Sequence, residues 1–369
     1  MTDEIRSPAS PPAASGIVAL LLALALLVAA ALAPAGAAAA TKKPRTPPRP
    51  LYWGAQIGAQ LTGEPAPWDM RAVYRFQHRT KKPLSLISFS APWADCSGGP
   101  CVFQRFPTTP LENIRTYGAI PVFSWSTQGS RGEVTEPDFR LARVTAGVFD
   151  GYIREMAEGA REWGHPFFIR LNWEMNGFWF PWSERVNGNG RGSFVAAWRH
   201  IHAIFESVGA HNVSWVWCPN VDFTRRLVPL KRLYPGHDYV DWTCLDGFNW
   251  GETPNSAGWQ SFKEIYAETY NRVKRIARHK PMMIGEIASD DRGGSKPRWI
   301  RNMLRVIPAR YRKVRALIWY DEPDQGMHWT IDRSPRSARA FANQISRPVF
   351  KANEFGDLAV SSPIPPPEW

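Results

Sequence analysis

Eight short apolar runs alternate with segments of helical spacing along most of this 369-residue chain. Each run is rich in β-branched or aromatic residues, as buried strands are. The runs are Leu51–Ile57, Leu84–Phe89, Ala119–Trp125, Pro166–Trp173, Val213–Cys218, Val240–Phe248, Pro281–Ile287 and Arg315–Tyr320. The clearest helical segments between them are Phe139–Trp163, Phe194–Val208, Trp259–Ala277 and Pro297–Val306. Eight alternating units predict an α/β fold, a (β/α)8 TIM barrel in a single domain over residues 51–350.

A doubly wound parallel sheet is the alternative arrangement of the same alternation. It is less favoured, because the first strand is not followed by a glycine-rich turn of the G-x-G-x-x-G type. In a barrel, reacting groups lie at the C-terminal ends of the strands and in the loops that follow them. Those strand ends are therefore where chemistry is expected.

The segment before the barrel has the pattern of an export signal. Ile17–Ala33 is an unbroken apolar run of seventeen residues, Pro34 ends it, and Gly36–Ala40 offers small-residue cleavage sites. The run is also close to the length that spans a bilayer. We expect residues 1–40 to be a signal peptide or, if uncleaved, an N-terminal membrane anchor.

Two proline-rich segments flank the predicted barrel. Residues 41–50 (TKKPRTPPRP) form a basic linker, which we expect to be extended and mobile. Residues 351–369 form the C-terminal tail, and its end, SSPIPPPEW, is expected to behave similarly.

Export would place the chain in an oxidising compartment, secreted or otherwise extracytoplasmic. Cys96 and Cys101 close a short loop, CSGGPC, and are predicted to form a disulfide. Cys218 and Cys244 lie in apolar segments, where a second disulfide and two buried thiols are both open. Four cysteines are too few for a disulfide scaffold and lack zinc-finger spacing, so no metal site is predicted.

The fourth predicted strand ends in alternating polar residues. It reads PFFIRLNWEMNGFWFPW and runs directly into Arg170, Asn172 and Glu174. Because side chains alternate along a strand, we expect all three to point into the barrel mouth. Three tryptophans share this segment, Trp173, Trp179 and Trp182. A carboxylate among them would be partly desolvated, which raises its pKa and suits a general acid; the alternative is a structural Arg170–Glu174 ion pair.

The seventh predicted strand carries a second isolated carboxylate. In KPMMIGEIAS, Glu286 follows the apolar run Met282–Ile284. A buried glutamate paired with an arginine is the alternative. Strands four and seven lie on opposite sides of an eight-stranded barrel, so Glu174 and Glu286 are expected to face each other. Two facing carboxylates in an aromatic groove are typical of the active site of a glycosidase.

The segments RLNWEMNGFWFPW and KPMMIGEIAS resemble glycoside hydrolase family 26, a β-mannanase-like family in clan A of the retaining (β/α)8 glycosidases. Further matching segments are AAWRHIHAIFESVGAHNVSWVWCPN, YPGHDYVDWTCLDGFNWG and SKPRWI, so the resemblance runs from about Tyr52 to about Asn343. The resemblance implies a retaining double displacement, with Glu286 as nucleophile and Glu174 as general acid and then base. It implies no metal and no organic cofactor.

The resemblance also implies sugar contacts around the carboxylates. Arg170 would help hold the charge of the nucleophile, and Asn172 and Asn176 would orient carboxylates or sugar hydroxyls. Trp319, at the end of strand eight, would be a sugar platform. The other groove candidates are Trp125, Trp173, Trp179, Trp182, Phe248, Asn249 and Trp250. For each tryptophan among the 18 in the chain, core packing is the alternative.

Two positions depart from the family pattern. Members often carry histidine immediately before the general acid, where this chain has Trp173, and tyrosine after strand six, where it has Phe248. Trp173 cannot accept a hydrogen bond at its ring, and Phe248 cannot donate one. The family's first substrate, β-1,4-mannan, is therefore one option beside mixed-linkage β-glucan, β-1,3-xylan and a bacterial exopolysaccharide.

Three kinds of function follow from these features. The first is a secreted endo-β-glycanase; the others are a carbohydrate-binding barrel with weakened catalysis and an envelope-anchored enzyme that trims an exopolysaccharide. The net charge of +12 suits acidic partners, but export and the carboxylate pair argue against nucleic acid. We expect a polysaccharide or oligosaccharide partner, membrane contact only through an uncleaved N-terminal segment, and a monomer.

Overall fold

Parallel strands close into a barrel in the computed structural model, which describes residues 47–254, 256–359 and 362–369. The strands are β1 (Tyr52–Ile57), β2 (Leu86–Asp95), β3 (Val102–Phe103), β4 (Ile120–Gly129), β5 (Phe167–Leu171), β6 (Val213–Trp217), β7 (Trp242–Asn249), β8 (Met282–Ser289) and β9 (Val314–Asp321). All except β3 belong to the barrel, which closes because β1 pairs in parallel with both β2 and β9. The short β3 pairs antiparallel with the end of β2.

A helix follows each barrel strand and covers its outer face. The helices are α1 (Met70–Thr80), α2 (Thr108–Tyr117), α3 (Leu141–Thr145), α4 (Asp150–Trp163), α5 (Ser193–Val208), α6 (Leu230–Leu233), α7 (Phe262–Ile276), α8 (Lys296–Arg310) and α9 (Pro335–Ile345). The predicted (β/α)8 TIM barrel is confirmed. The predicted N-terminal signal or anchor and linker residues 41–46 lie outside the described residues. Across the part of the chain that is described, no helix has the length and apolarity needed to span a membrane.

Two predicted elements end earlier than their sequence patterns indicate. The predicted helix Phe139–Trp163 is divided into α3 and α4 at Gly147, whose φ of 79° interrupts the helix. The fourth barrel strand, β5, stops at Leu171, because Asn172 and Glu174 adopt φ values of 45° and 53°. Residues in this left-handed region cannot continue a strand. The simple alternation expected from Arg170 to Glu174 therefore does not persist through the segment.

Alternate residues of each strand face two separate apolar layers. The interior layer includes Tyr52, Leu86, Val122, Phe168, Val216, Trp242, Met283 and Ile318. The layer beneath the helices includes Trp53, Ile87, Phe123, Ile169, Trp215, Leu245, Ile284 and Leu317. Because side chains alternate with a period of two, only residues in register with the interior set can reach the barrel mouth. This register decides which aromatic and charged residues form the site.

Both cysteine pairs form disulfides. Cys96–Cys101, the predicted pair, joins the end of β2 to the start of the β3 segment. Cys218 and Cys244, left open by the sequence, pair inside the barrel between the end of β6 and the neighbouring strand β7. This second disulfide belongs to the interior layer, and the Cys218 sulfur lies 3.2 Å from the carboxylate of Asp246.

The last eight residues of the chain close the floor of the barrel. Ile364 is buried in the interior layer, where its N–H donates to Ser214 Oγ and its carbonyl accepts from Trp242 Nε1, both at 2.8 Å. Tyr52 Oη donates to the carbonyl of Pro365 at 2.9 Å. The tail is thus extended, as expected, but it is packed rather than mobile, because its one large aliphatic side chain fills the floor.

Replacing Ile364 by alanine should lower the free energy of unfolding by about 2–4 kcal/mol, because it leaves a cavity in a closed interior. Trp369→Ala is the matched control, since Trp369 is 70% exposed at the same tail. Urea unfolding of both variants measures the difference. Equal stability of the two variants would show that the tail does not contribute to the barrel floor.

Candidate active site

A buried arginine lies at the centre of the barrel mouth between two carboxylates. Arg170 Nη1 donates to Glu286 Oε1 at 2.7 Å, and Nη2 donates to Asp246 Oδ2 at 2.5 Å. A third hydrogen bond runs from Nη1 to Ser124 Oγ at 3.1 Å. Burial opposes the charge of the guanidinium, but Asp246 and Glu286 outweigh it and raise the pKa of Arg170 above its usual range. The guanidinium therefore provides a fixed positive charge inside the barrel.

A bulge in β8 directs Glu286 toward this arginine. Leu245 of β7 pairs with Ile284 and Asp246 pairs with Glu286, so Gly285 is left without a partner on that side. A Cβ atom at Gly285 would lie 2.5 Å from Cys244 Sγ, which only glycine avoids. Bulges of this kind redirect side chains at the rims of barrels. The Glu286 side chain stays 12% exposed, so it can meet a ligand from the mouth.

Glu174 is held opposite by the turn that follows β5. Its backbone N–H donates to the carbonyl of Cys218 at 2.7 Å, and its carbonyl accepts from Gly177 at 2.9 Å. Its side-chain Oε2 accepts from Trp179 Nε1 at 2.7 Å. One carboxylate oxygen from each of Glu174, Asp246 and Glu286 lies within 4.8 Å of the other two. The fold thus brings together the two predicted glutamates and one further acid.

Glu174 has the environment of a proton donor. Burial of its carboxyl group, together with the nearby charge of Glu286, raises its pKa to about 8, against the opposing effects of Trp179 and Arg170. At neutral pH the neutral acid is therefore favoured. Glu286, by contrast, accepts a hydrogen bond from the buried guanidinium of Arg170. The two environments therefore differ: burial favours a proton on Glu174, whereas Glu286 lies beside the fixed positive charge of Arg170.

Asp246 is the member of this group that sequence reasoning missed. It occupies the interior register of β7, after Trp242 and Cys244, and is fully buried. Burial raises its pKa, and Arg170 opposes that effect. The signal was an isolated acid at an interior position of an apolar strand, the same signal that identified Glu286. The ion pair with Arg170 shows that Asp246 neutralises and positions this guanidinium.

Four of the predicted aromatic residues lie at the mouth. The Trp173 ring centre is 5.1 Å from the guanidinium carbon of Arg170, and Trp179 donates to Glu174 as described. Phe248 packs against Tyr320 with ring centres 5.6 Å apart. Trp250 is 37% exposed and offers the most accessible face of this group. The mouth therefore has apolar walls on both sides of the carboxylates.

Three other predicted groove tryptophans are fully buried, so they have no face for a sugar. Trp319 points away from the mouth and packs against Phe341 with ring centres 5.4 Å apart. Trp182 donates through Nε1 to the carbonyl of Trp173, and Trp125 donates to Tyr152 Oη. These assignments are corrected to core packing. For Trp319 the cause is strand register, because its odd-numbered position on β9 faces the helices.

The neighbouring Tyr320 takes the interior position, in register with Ala316 and Ile318. Its hydroxyl lies 3.4 Å from Glu322 Oε2, and Gln56 Nε2 donates to Glu322 Oε1 at 3.1 Å. Burial is the main cause of a raised pKa for Glu322, and Glu286 adds to it. These polar groups lie close to the carboxylate pair, and sequence reasoning missed them.

The three predicted asparagines support loops. Asn172 Oδ1 accepts from the N–H of Thr127 at 2.8 Å, and both ends of the Asn176 amide bind the backbone of Asn220. Asn249 accepts from Gln260 N and donates to Ser289 Oγ, both at 2.9 Å. All three side chains are buried. The predicted sugar contacts of Asn176 and Asn249 are corrected, because both ends of each amide are already used within the protein, whereas only Oδ1 of Asn172 is used and its predicted contact stays a prediction.

The chain is similar to known glycoside hydrolases over most of its length. Residues 141–290 match the family model described as Glycosyl hydrolase family 26. The chain is 32% identical over 305 residues to Endoglucanase H of Acetivibrio thermocellus, a match that covers 79% of this chain and 30% of the relative. The chain thus spans less than a third of the length of that curated relative.

Solved structures share the barrel. A double mutant of the Cellulomonas fimi endo-β-1,4-mannanase superposes with a TM-score of 0.60 at 17% identity, covering 82% of this chain and 72% of that one. The GH26 domain of a Prevotella bryantii endo-β-mannanase/endo-β-glucanase superposes with a TM-score of 0.59 at 15% identity, covering 84% and 92%. At these identities the likeness establishes the fold.

Proposed function

Because this barrel belongs to glycosyl hydrolase family 26, we propose that it is a retaining endo-β-glycanase that hydrolyses a polysaccharide by double displacement. The observation that carries the proposal is the pair Glu174 and Glu286, whose nearest carboxylate oxygens lie within 4.8 Å. Retaining glycosidases hold their carboxyl groups about 5–5.5 Å apart, whereas inverting enzymes need about 6.5–9.5 Å to admit a water molecule. The short separation supports retention.

In the first step, a Glu286 oxygen attacks the anomeric carbon while Glu174 gives its proton to the glycosidic oxygen. The bond between the anomeric carbon and the glycosidic oxygen breaks, the rest of the glycan leaves with a new hydroxyl group, and a glycosyl ester forms on Glu286. In the second step, the Glu174 carboxylate takes a proton from water, and the water oxygen attacks the same carbon. Glu286 is released as a carboxylate, and two inversions give net retention.

Arg170 and Trp179 prepare this pair for both steps. Arg170 stabilises the charge on Glu286 before attack and after release, because its guanidinium is fixed by Asp246 and Ser124. Trp179 orients the Glu174 carboxyl group through its 2.7 Å hydrogen bond. The partly exposed rings of Trp173 and Trp250 offer apolar surface for the faces of sugar rings.

For the substrate we propose a β-linked glycan with a neutral backbone at the mouth. Asp246 and Glu286 pair with the single charge of Arg170 and Glu322 lies nearby, so acidic side chains outnumber the arginine and would repel a uronate at the point of cleavage. The curated relative is called an endoglucanase, and the solved neighbours are called mannanases. Mixed-linkage β-glucan and β-1,4-mannan are therefore the first two candidates, ahead of β-1,3-xylan and bacterial exopolysaccharides.

The test is reducing-sugar release from a panel of these polymers, with proton NMR of the first product formed. We expect release from one polymer, an initial product of β configuration, and a mixture of chain lengths from internal cleavage. An initial α product would contradict retention. Binding of a polymer without any release would favour the carbohydrate-binding alternative.

The pH dependence follows from the environment of Glu174. Because the acid must be protonated and its pKa is raised to about 8, kcat/KM should fall as pH rises through about 8. Trp179→Phe removes a hydrogen bond that favours the carboxylate form, so the alkaline limb should move to higher pH in that variant. Rates measured between about pH 5 and about pH 10 test this. An alkaline limb that stays in place would show that Glu174 is not the titrating acid.

Export belongs to the same proposal. The apolar run Ile17–Ala33 suits a signal or anchor, and two disulfides suit an oxidising compartment. We propose that the chain acts as a monomer outside the cytoplasm, free or attached to the membrane. Sequencing the mature N-terminus distinguishes a cleaved signal from an anchor, and light scattering measures the oligomeric state.

A further inference from the structure

The excess positive charge is concentrated in the C-terminal part of the chain. Residues 292–351 contain fourteen lysines and arginines but four aspartates and glutamates, which is +10 of the net +12 of the chain. The helices α8 and α9 together carry seven basic residues and no acidic one. Such an excess of one sign of charge favours association with anionic partners.

A groove of about 720 Å³ lies at these two helices. Arg301 lines it from α8, and Arg336 and Arg339 line it from α9. Ser334 and Asn343 add hydroxyl and amide groups to the same lining. Its walls combine cationic and neutral hydrogen-bonding groups with one carboxylate, that of Asp291.

The arginines of this groove are not neutralised by the protein. Within the described ranges, no carboxylate lies at ion-pairing distance from Arg301, Arg336 or Arg339, and all three are exposed. Two other arginines of this region differ, since Arg292 pairs with Asp290, and Arg333 pairs with Asp291 of the groove lining. Three arginines and Lys296 line the groove against the one carboxylate of Asp291, so their like charges repel one another, and an anionic ligand would relieve that repulsion.

We propose that the groove between α8 and α9 binds an acidic glycan through its carboxylate or phosphate groups. The planar guanidinium group forms paired hydrogen bonds with both kinds of oxyanion. A concave groove fits a linear polymer better than it fits the flat surface of a membrane. The neutral side chains of Ser334 and Asn343 can bind the hydroxyl groups between the charges.

The groove is distinct from the catalytic mouth. The mouth holds more acidic than basic side chains around Arg170, whereas the groove holds more basic than acidic ones. Because α8 begins directly after the C-terminal end of β8, both features lie toward the same end of the barrel. The groove would hold the protein on an acidic polymer while the mouth acts on a neutral backbone nearby.

The test is a binding measurement that does not depend on hydrolysis. The protein expressed from its full chain and carrying Glu286→Gln is titrated with a polyuronate, a polyphosphate, a neutral β-glucan and anionic lipid vesicles. The groove variant is Arg301→Gln/Arg336→Gln/Arg339→Gln. The matched control, Arg154→Gln/Arg275→Gln/Arg278→Gln, removes the same charge from exposed positions elsewhere.

We expect the polyuronate or the polyphosphate to bind, and which one binds identifies the anionic group. Affinity should fall at least about tenfold in the groove variant but little in the control, and it should weaken between about 50 mM and about 500 mM salt. Cleavage of a short neutral oligosaccharide by the groove variant with Glu286 intact should be unchanged. Equal losses in groove variant and control, preference for vesicles, or no binding of either anionic polymer would overturn the proposal.

Discussion

Replacing Glu286 by alanine should lower kcat by at least about 10³-fold, because it removes the carboxylate proposed to form the glycosyl ester. The fold should be retained, since Glu286 is partly exposed and Arg170 keeps its ion pair with Asp246. Rates with a glycoside that has a reactive leaving group, together with circular dichroism, measure both effects. Glu155→Ala, an exposed change on α4, is the matched control.

Added azide should distinguish the two glutamates. In Glu286→Ala the anion can enter the vacated space and attack the anomeric carbon directly, which gives an α-glycosyl azide. In Glu174→Ala the glycosyl ester still forms when the leaving group needs no proton, and azide then attacks it to give a β-glycosyl azide. Hydrolysis of an unactivated polymer should fall about 10²–10⁴-fold in Glu174→Ala. If the azide products of the two variants were reversed, Glu174 would be the nucleophile and Glu286 the acid. Full activity of either variant would show that the replaced residue takes no part in the mechanism.

Arg170→Met should lower the free energy of unfolding by about 3–5 kcal/mol, since it leaves buried Asp246 without a counter-charge. It should also reduce activity strongly, because Glu286 loses its ion pair. The reason is the position of Arg170, which has no exposed surface and binds both carboxylates. Denaturant unfolding and initial rates test the two effects separately.

The double variant Arg170→Met/Asp246→Leu separates charge from packing. Removing both members of a buried pair should restore most of the lost stability, because no unpaired charge remains in the interior. Activity should stay low, since Glu286 still lacks its positive neighbour. A double variant as unstable as Arg170→Met would show that packing, rather than charge, determines the loss. Wild-type activity in the double variant would show that Arg170 does not assist Glu286.

The two glutamates that meet at the mouth could be predicted from the sequence because their signal is local. Glu174 and Glu286 each interrupt or end an apolar run. Charged side chains in such runs are rare unless they are paired or take part in a functional site. Asp246 gives the same signal and could have been found with it. Trp319 could not be separated from Tyr320 in this way, because two adjacent aromatic residues differ only in the face of the strand that they occupy.

The family resemblance indicated which family the chain is similar to, but not which way its side chains point. Trp125, Trp182 and Trp319 are aromatic residues near the ends of predicted strands, yet each is buried in the layer beneath the helices. Asn176 and Asn249 are polar residues near the mouth, yet their amides hold loops together. Residue type and position along a strand were not enough, because side-chain direction depends on register within the closed sheet.

The sequence by itself determined the elements, the family and the two glutamates, because periodic burial and isolated charges act over a few neighbouring residues. The tertiary structure decided the rest through contacts distant in sequence. The unpaired Gly285 bulge directs Glu286, Asp246 meets Arg170 across 76 positions of the chain, and Ile364 fills a floor built by β1, β6 and β7. Such contacts depend on barrel closure, which no local pattern encodes.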